Sequence, residues 1–204
     1  PGTIPAARVW GSFRGGRHTR RPETNPKREL LEWCLALAIA RAIGLALHFL
    51  VFQLIQVDGP SMQPTLHTGQ RMFCTPATYL LRKPVRGEIV ITAYPNKGST
   101  NFVKRVIALE GETVSIHDGA VYINGVRLNE PYIKGEIQYE MEEITVEEGH
   151  VFVLGDNRND SSDSHDPRIG ALPLSMLKGK VHAIVWPLNE FSLLPTPEYN
   201  DLTP

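Results

Sequence analysis

Cysteine is almost absent from this chain. Cys34 and Cys74 are the two among 204 residues, and they form no C-x-x-C pair, so neither a disulfide framework nor a thiolate zinc site is readable. Cys34 falls in an apolar stretch and Cys74 in the part expected to fold, which makes them poor partners for each other. Seven histidines are scattered without an H-E-x-x-H pattern, so the helical metalloprotease arrangement is missing too. No cofactor is implied. An overall excess of either charge is also lacking, with 21 basic residues against 22 acidic ones, and a chain of this length has room for one ordinary globular domain plus an anchor and tails.

The even balance hides an asymmetry. Arg8, Arg14, Arg17, Arg20, Arg21, Lys27 and Arg28 precede residue 30, opposed only by Glu23 and Glu29. Residues 1–29 carry Gly, Pro, Arg and Thr without an apolar period, the pattern of a disordered basic tail. The chain opens on Pro1, so the tail's exact length carries no weight. A nucleic-acid arm is disfavoured because no aromatics are interleaved with the charges, and the next segment gives the charge a better reason.

Residues 30–55 are strongly apolar. At roughly 1.5 Å per residue a helix of this length crosses a hydrocarbon core of about 30 Å. Arg41 near the middle costs ~2.5–3.5 kcal/mol, while each Leu, Ile, Phe or Val returns about 0.3–0.6 kcal/mol. A dozen such residues outweigh it, so the segment is expected to be a permanent transmembrane anchor. Its length and internal charge do not suit a cleaved secretory signal. Arg41 and His48 share one helix face, which leaves a lipid-surface helix as the alternative. Positive-inside bias puts the tail in the cytoplasm and the rest on the outer face of the plasma membrane.

From residue 71 onward the pattern shifts to short β-type runs at 71–75, 88–93, 102–109, 113–117, 120–123, 151–154 and 181–186. The fold class is therefore mainly β, in a domain spanning 56–194. Asp118-Gly119 and Asn124-Gly125 each separate two runs and accept positive φ, which predicts consecutive hairpins. Residues 195–204 carry three prolines and no pattern, and are expected to be a loose tail.

Three segments carry chemistry. In Gly59-Pro60-Ser61-Met62-Gln63-Pro64-Thr65-Leu66 a serine is enclosed by a glycine and two prolines; alone, such a serine reads as a turn residue. In Asn101-Phe102-Val103-Lys104-Arg105-Val106-Ile107-Ala108-Leu109, alternation places Lys104 beside Phe102, Val106 and Ala108, and the opposite face is apolar as well. A strand covered on both sides desolvates its lysine, and a lysine made neutral at working pH can take the proton of a serine hydroxyl. The competing reading is an edge lysine that keeps a strand soluble. The third segment, residues 155–166, is dense in short polar side chains. A calcium loop does not fit it: counted from Asp156, the third position is Arg158, the sixth Ser161 and the twelfth Pro167. His67 and His165 are alternative bases for Ser61, each more naturally a loop histidine.

Together these segments resemble the bacterial type I signal peptidases, in the ordered motifs Ser61-Met62-x-Pro64-Thr65-Leu66, Lys104-Arg105-Val106-Ile107 and Gly155-Asp156-Asn157-Arg158 with Ser161, Asp163 and Ser164. The resemblance implies a β-rich catalytic domain of hairpins in a partly open barrel, preceded by one N-terminal transmembrane helix. It implies Ser61 as acylated nucleophile, Lys104 as general base and Ser161 orienting the amine, with Asp156, Arg158, Asp163 and Arg105 as supporting partners. The substrates it implies are preproteins bearing signal peptides, cut after small residues of Ala-x-Ala type, with membrane lipid as the surroundings. Three departures stand out. Gly59 replaces a serine that in some members helps bind the oxyanion. His165 stands where arginine often follows Asp-Ser, with Arg168 as a substitute partner for Asp163 if the loop folds back. Glu110-Gly111-Glu112 replaces Pro-Gly-Asp, a change expected to alter a turn only. The alternatives left open are a specialised Ser–Lys peptidase for pilus or conjugation proteins and a tethered β domain that binds peptides without cutting them.

Overall fold

The computed structural model describes residues 26–51, 53–95 and 100–199, with side chains from 26 to 46 in the first stretch. The basic tail lies outside these up to residue 25. The chain divides after Ala42 into two units.

Helix α1 (Pro26–Val51) starts where the sequence favours a start. Pro26 has no N–H to leave unpaired in the first turn, and Glu29 complements the positive end of the helix dipole. Arg28 and Glu32 pair one turn apart at 3.1 Å. Leu30, Leu31, Trp33, Leu35, Leu37, Ile39, Ile43 and Leu45 are all exposed. Among the described residues no helix is long and apolar enough to cross a membrane. The segment is a helix, as expected, over Pro26–Val51.

The second unit is mainly β, in two antiparallel sheets. The first contains β1 (Gln53–Gln56), β2 (Arg71–Thr75), β3 (Ile89–Ala93), β4 (Asn101–Ala108), β9 (His150–Leu154), β10 (Leu172–Pro173), β11 (Leu177–Trp186) and β12 (Ser192–Leu193); the second contains β5 (Thr113–His117), β6 (Ala120–Ile123), β7 (Val126–Arg127) and β8 (Met141–Thr145). The first sheet runs β1-β2-β11-β3-β4-β9-β10 with β12 also on β11, and the second runs β7-β6-β5-β8. A short helix α2 (Thr78–Leu81) follows β2.

Both hairpin turns are where the sequence puts them. His117 faces Ala120 and Ile123 faces Val126 across two-residue loops, and Asp118, Gly119, Asn124 and Gly125 all take positive φ, the geometry that matches strand twist. Strand β8 was not legible, because Glu142 and Glu143 are exposed on it and only its register with β5 makes it a strand.

Two boundaries differ from expectation. Residues 53–55, counted from sequence with the apolar segment, pair with Cys74, Phe73 and Met72 to open the first sheet; backbone pairing with β2 settles their place, since Gln53 and Gln56 add little apolar drive. Residues 195–199 are no loose tail. The Tyr199 hydroxyl meets that of Tyr132 at 2.7 Å, its ring packs on the core around Phe152 and Leu154, and a Cβ on Gly87 would run into Pro197 and Tyr199. Residues 200–204 are outside the described set.

Strand β4 is covered on both faces. Ile107 belongs to the core that joins the sheets, with Val114, Ile116, Val121 and Phe152, whereas Val106 belongs to another, with Val90, Val151, Val153 and Leu172. The loop after β1 sits over a third, built on Met62, Leu66, Met72, Ile91 and Val181.

Candidate active site

Ser61 lies in the loop between β1 and β2. Gly59 takes φ +96° at the entry, a conformation with little steric cost for glycine alone. The chain then tightens, with Gln63 N–H donating to Pro60 O at 3.0 Å and Leu66 N–H to Met62 O at 2.9 Å. Met62 and Leu66 are fully buried, so the core holds the loop from below. The third segment holds it from the side. Asn157 N–H donates to Ser61 O at 3.0 Å, Asn157 Nδ2 donates to Pro60 O at 3.2 Å, and the Thr65 hydroxyl donates to Asp156. Asn157 was quoted in the sequence without a role; the signal for one was its place directly after Asp156, in a loop short enough to reach the serine.

Lys104 is 3 % exposed on β4, between β3 and β9. Its Nζ donates to Ser161 Oγ at 3.0 Å and lies 5.2 Å above the Phe102 ring. No carboxylate pairs with it among the described residues. Burial therefore dominates and pushes its pKa down to about 8, with Asp163 and Asp156 opposing part of the shift. The alternation of β4 had implied this desolvation, and the edge-lysine reading fails because the strand is central.

Ser161 Oγ donates in turn to Asp163 Oδ2 at 2.5 Å, which also receives the Gly155 N–H at 2.8 Å. Gly155 has no space for a side chain: a Cβ there would collide with Ser161 Oγ and the Ser61 carbonyl oxygen. One missing methyl thus lets the first and third segments meet.

Arg105, next to Lys104 but on the opposite face, forms two parallel bonds to Asp156, Nε to Oδ1 at 2.8 Å and Nη2 to Oδ2 at 2.7 Å, and donates to Gly87 O at 2.9 Å. Its guanidinium stacks 3.9 Å from the Tyr132 ring centroid. Burial works against this cation, yet the Asp156 carboxylate more than offsets it and the arginine pKa is raised. Arg158 is handled in the same way, gripped by Glu130 at 2.5 and 2.9 Å while Nε holds Gly155 O at 2.9 Å. Glu130, Tyr132 and Tyr199 were missed from the sequence. Only the general need of a buried arginine for a carboxylate hinted at the first of them.

Ser61 and Lys104 line one cleft of about 230 Å³, walled by Ile55–Gly59 of the chain leading to the serine, by Ile91, by Asn101–Val103 and by Ser162. Four larger hollows, of about 270 to 750 Å³, contain neither. His67 is exposed and lines a different hollow from the one that holds Ser61. Arg168 does not reach Asp163 as the sequence allowed. It pairs with Asp166, two residues away, and His165 occupies Asp163 instead at 2.6 Å. Glu110-Gly111-Glu112 forms a turn with Gly111 at φ +82°, tied down by Lys83 and Arg86. Among the described residues no three His, Cys, Asp or Glu side chains come together as metal ligands.

The family profile described as "Signal peptidase, peptidase S26" matches residues 30–186. Signal peptidase I of Bacillus licheniformis is 36% identical over 183 residues, which cover 84% of this chain and 97% of that one. Probable signal peptidase I-2 of Synechocystis sp. is 34% identical over 181 residues, 86% of this chain and 82% of its own. Thylakoidal processing peptidase 1, chloroplastic, of Arabidopsis thaliana is 38% identical over 146 residues, 67% of this chain and 42% of its own. The matched residues take in the serine loop, the lysine strand and the polar loop that binds both, and the chain belongs to the signal peptidase, peptidase S26, family.

Proposed function

We propose that this chain is a membrane-anchored serine endopeptidase that removes signal peptides from exported preproteins, with Ser61 as nucleophile and Lys104 as general base. The observation that carries the reading is the state of Lys104: a buried amine, held to a hydroxyl rather than a carboxylate, titrating at about 8 and lining the same cleft as Ser61.

The preprotein lies extended along the cleft wall beside β4. Ser61 Oγ attacks the carbonyl that follows a small side chain, and its proton passes to the neutral Lys104 Nζ. The oxyanion is met by the Ser61 backbone N–H; at Gly59 there is no hydroxyl to assist it. Lys104 then protonates the departing amine, leaving an acyl-enzyme, and next takes a proton from the water that releases the acyl group. Ser161 holds the amine in line, Asp163 holds Ser161, and the ion pairs of Arg105 with Asp156 and Arg158 with Glu130 brace the loop that carries them.

The lipid setting is supported by two features, the apolar side chains exposed all round α1 and an exposed apolar rim on the second unit made by Leu54, Trp186, Leu188, Phe191 and Leu193. The apolar stretch of α1 from Leu30 onward anchors the chain in the plasma membrane, with the basic tail cytoplasmic and the catalytic domain, from β1 onward, extracytoplasmic.

The test is cleavage of a preprotein bearing an Ala-x-Ala junction by the detergent-solubilised chain, with Ser61→Ala and Lys104→Met beside it and products identified by mass spectrometry. A single cut at the junction, lost in both folded variants, is expected. Activity surviving in Lys104→Met would move the base to a histidine, and a parent inert in lipid as well would point to a specialised pilus or conjugation substrate or to peptide binding alone.

A further inference from the structure

Lys104 is the inner end of a hydrogen-bonded chain that reaches the surface. Lys104 Nζ donates to Ser161 Oγ at 3.0 Å, Ser161 Oγ donates to Asp163 Oδ2 at 2.5 Å, and Asp163 Oδ1 meets His165 Nδ1 at 2.6 Å. Asp163 is 0 % exposed at its side chain and His165 23 %. The loop is stitched to β9 by Ser164, whose N–H donates to Val153 O and whose hydroxyl accepts the Val153 N–H, each at 3.1 Å, so the imidazole and the carboxylate are held face to face. The ring stacks on Tyr139 with centroids 4.2 Å apart. A second carboxylate, Asp166, pairs with Arg168 and also feels the imidazole, and beyond Tyr139 Arg158 pairs with Glu130. Among the described residues the imidazole is the only basic side chain that pairs with Asp163.

Resting on the reading of Lys104 as the base, we propose that His165 is a positioning residue that sets the working pH of the dyad from the surface, by compensating the charge of Asp163 that Lys104 senses through Ser161. With neutral His165 the Nδ1–H donates one hydrogen bond and Asp163 keeps its full negative charge, which favours the ammonium form of Lys104. A second proton on Nε2 leaves that bond in place and adds a positive charge against the carboxylate. The ammonium then loses part of its support, and Lys104 releases its proton at lower pH. Acidification, which would silence the amine, at the same time loosens the hold on its proton. A permanently charged arginine at this position compensates Asp163 at every pH; histidine does so only when protonated.

The test is the pH profile of kcat for the full chain in detergent on a cleavable preprotein, for wild type, H165A, H165N and H165R, with thermal unfolding recorded for each. H165R should move the acid limb to lower pH by roughly half a unit to one unit, the size expected for one charge across a partly buried path. H165A, which removes the donor to Asp163 and the charge the imidazole can gain, should move it to higher pH by less than H165R moves it the other way. H165N, which can donate to Asp163 but cannot gain a proton, should keep the high-pH rate while losing more of it than wild type on the acid side. Limbs that coincide in all four folded proteins, or a rate lowered equally at every pH in H165A and not displaced by H165R, would overturn the proposal by showing a role in folding the loop alone. Absence of cleavage by wild type would instead remove the Ser61–Lys104 reading itself.

Discussion

On one face of β4 Lys104 lies 3 % exposed with a hydroxyl for a partner; on the other face Arg105, equally buried, is gripped by both oxygens of Asp156. Burial acts on both cations alike. The arginine keeps its charge because a carboxylate repays the lost hydration, and the lysine is driven towards neutrality because its carboxylates stand one hydroxyl further away. On the proposed reading two neighbouring residues of one strand are thereby divided between chemistry and structure, and what divides them is the distance to an aspartate.

The comparison predicts opposite responses. Ser61→Ala and Lys104→Met should each lower the rate of cleavage by at least about 10³-fold while leaving a folded protein, since nucleophile and base act as a unit; product analysis checks this. The acid limb of kcat in the wild type should lie near pH 8, rate rising as the amine loses its proton. Asp156→Asn attacks the other face. It strands a buried guanidinium and should cost about 3–5 kcal/mol in denaturant unfolding. Lys104→Met should go the other way and stabilise the protein by up to about 3 kcal/mol below pH 8. A lysine whose folded pKa is depressed from 10.5 to about 8 penalises folding fully below 8, and the penalty fades as pH rises through this window. The gain in Tm should therefore vanish towards pH 10.5, and a gain independent of pH would refute the desolvated amine.

Smaller effects sharpen the same contrast. Ser161→Ala removes the hydroxyl that stands between Lys104 and Asp163, and should lower kcat about 10- to 100-fold with little change in KM, the equivalent of one hydrogen bond to a buried polar group. Tyr199→Phe loses the bond to Tyr132 behind Arg105 and should cost about 1 kcal/mol in unfolding with an unchanged pH profile.

How far the sequence reveals these matters differs between the two faces. Apolar residues on both sides of Lys104 were enough to infer its desolvation, and Asp118-Gly119 and Asn124-Gly125 were enough to place two hairpins, because both signals are local. The partners of Arg105 and Arg158 were not legible in this way. Asp156 was reached through resemblance, and Glu130, Tyr132 and Tyr199 were not reached, since nothing near them in the chain distinguishes a residue that meets a buried guanidinium from one that faces water. Strand β8 and residues 195–199 escaped for the same reason: their places depend on pairing and packing with distant segments. His165 stood out as a departure, but its contact with Asp163 needed the geometry of the loop, which gives Arg168 to Asp166.

Lys104 owes its altered basicity to β9 and the loop after it, which close over the amine only when residues far downstream have taken their places. In a nascent or half-folded chain that lysine stands in water as an ordinary ammonium, unable to accept a proton from serine. On the reading of Lys104 as the base, proteolytic competence arrives with completion of the tertiary fold, and a chain still folding carries Ser61 disarmed past its own peptide bonds and those of its neighbours.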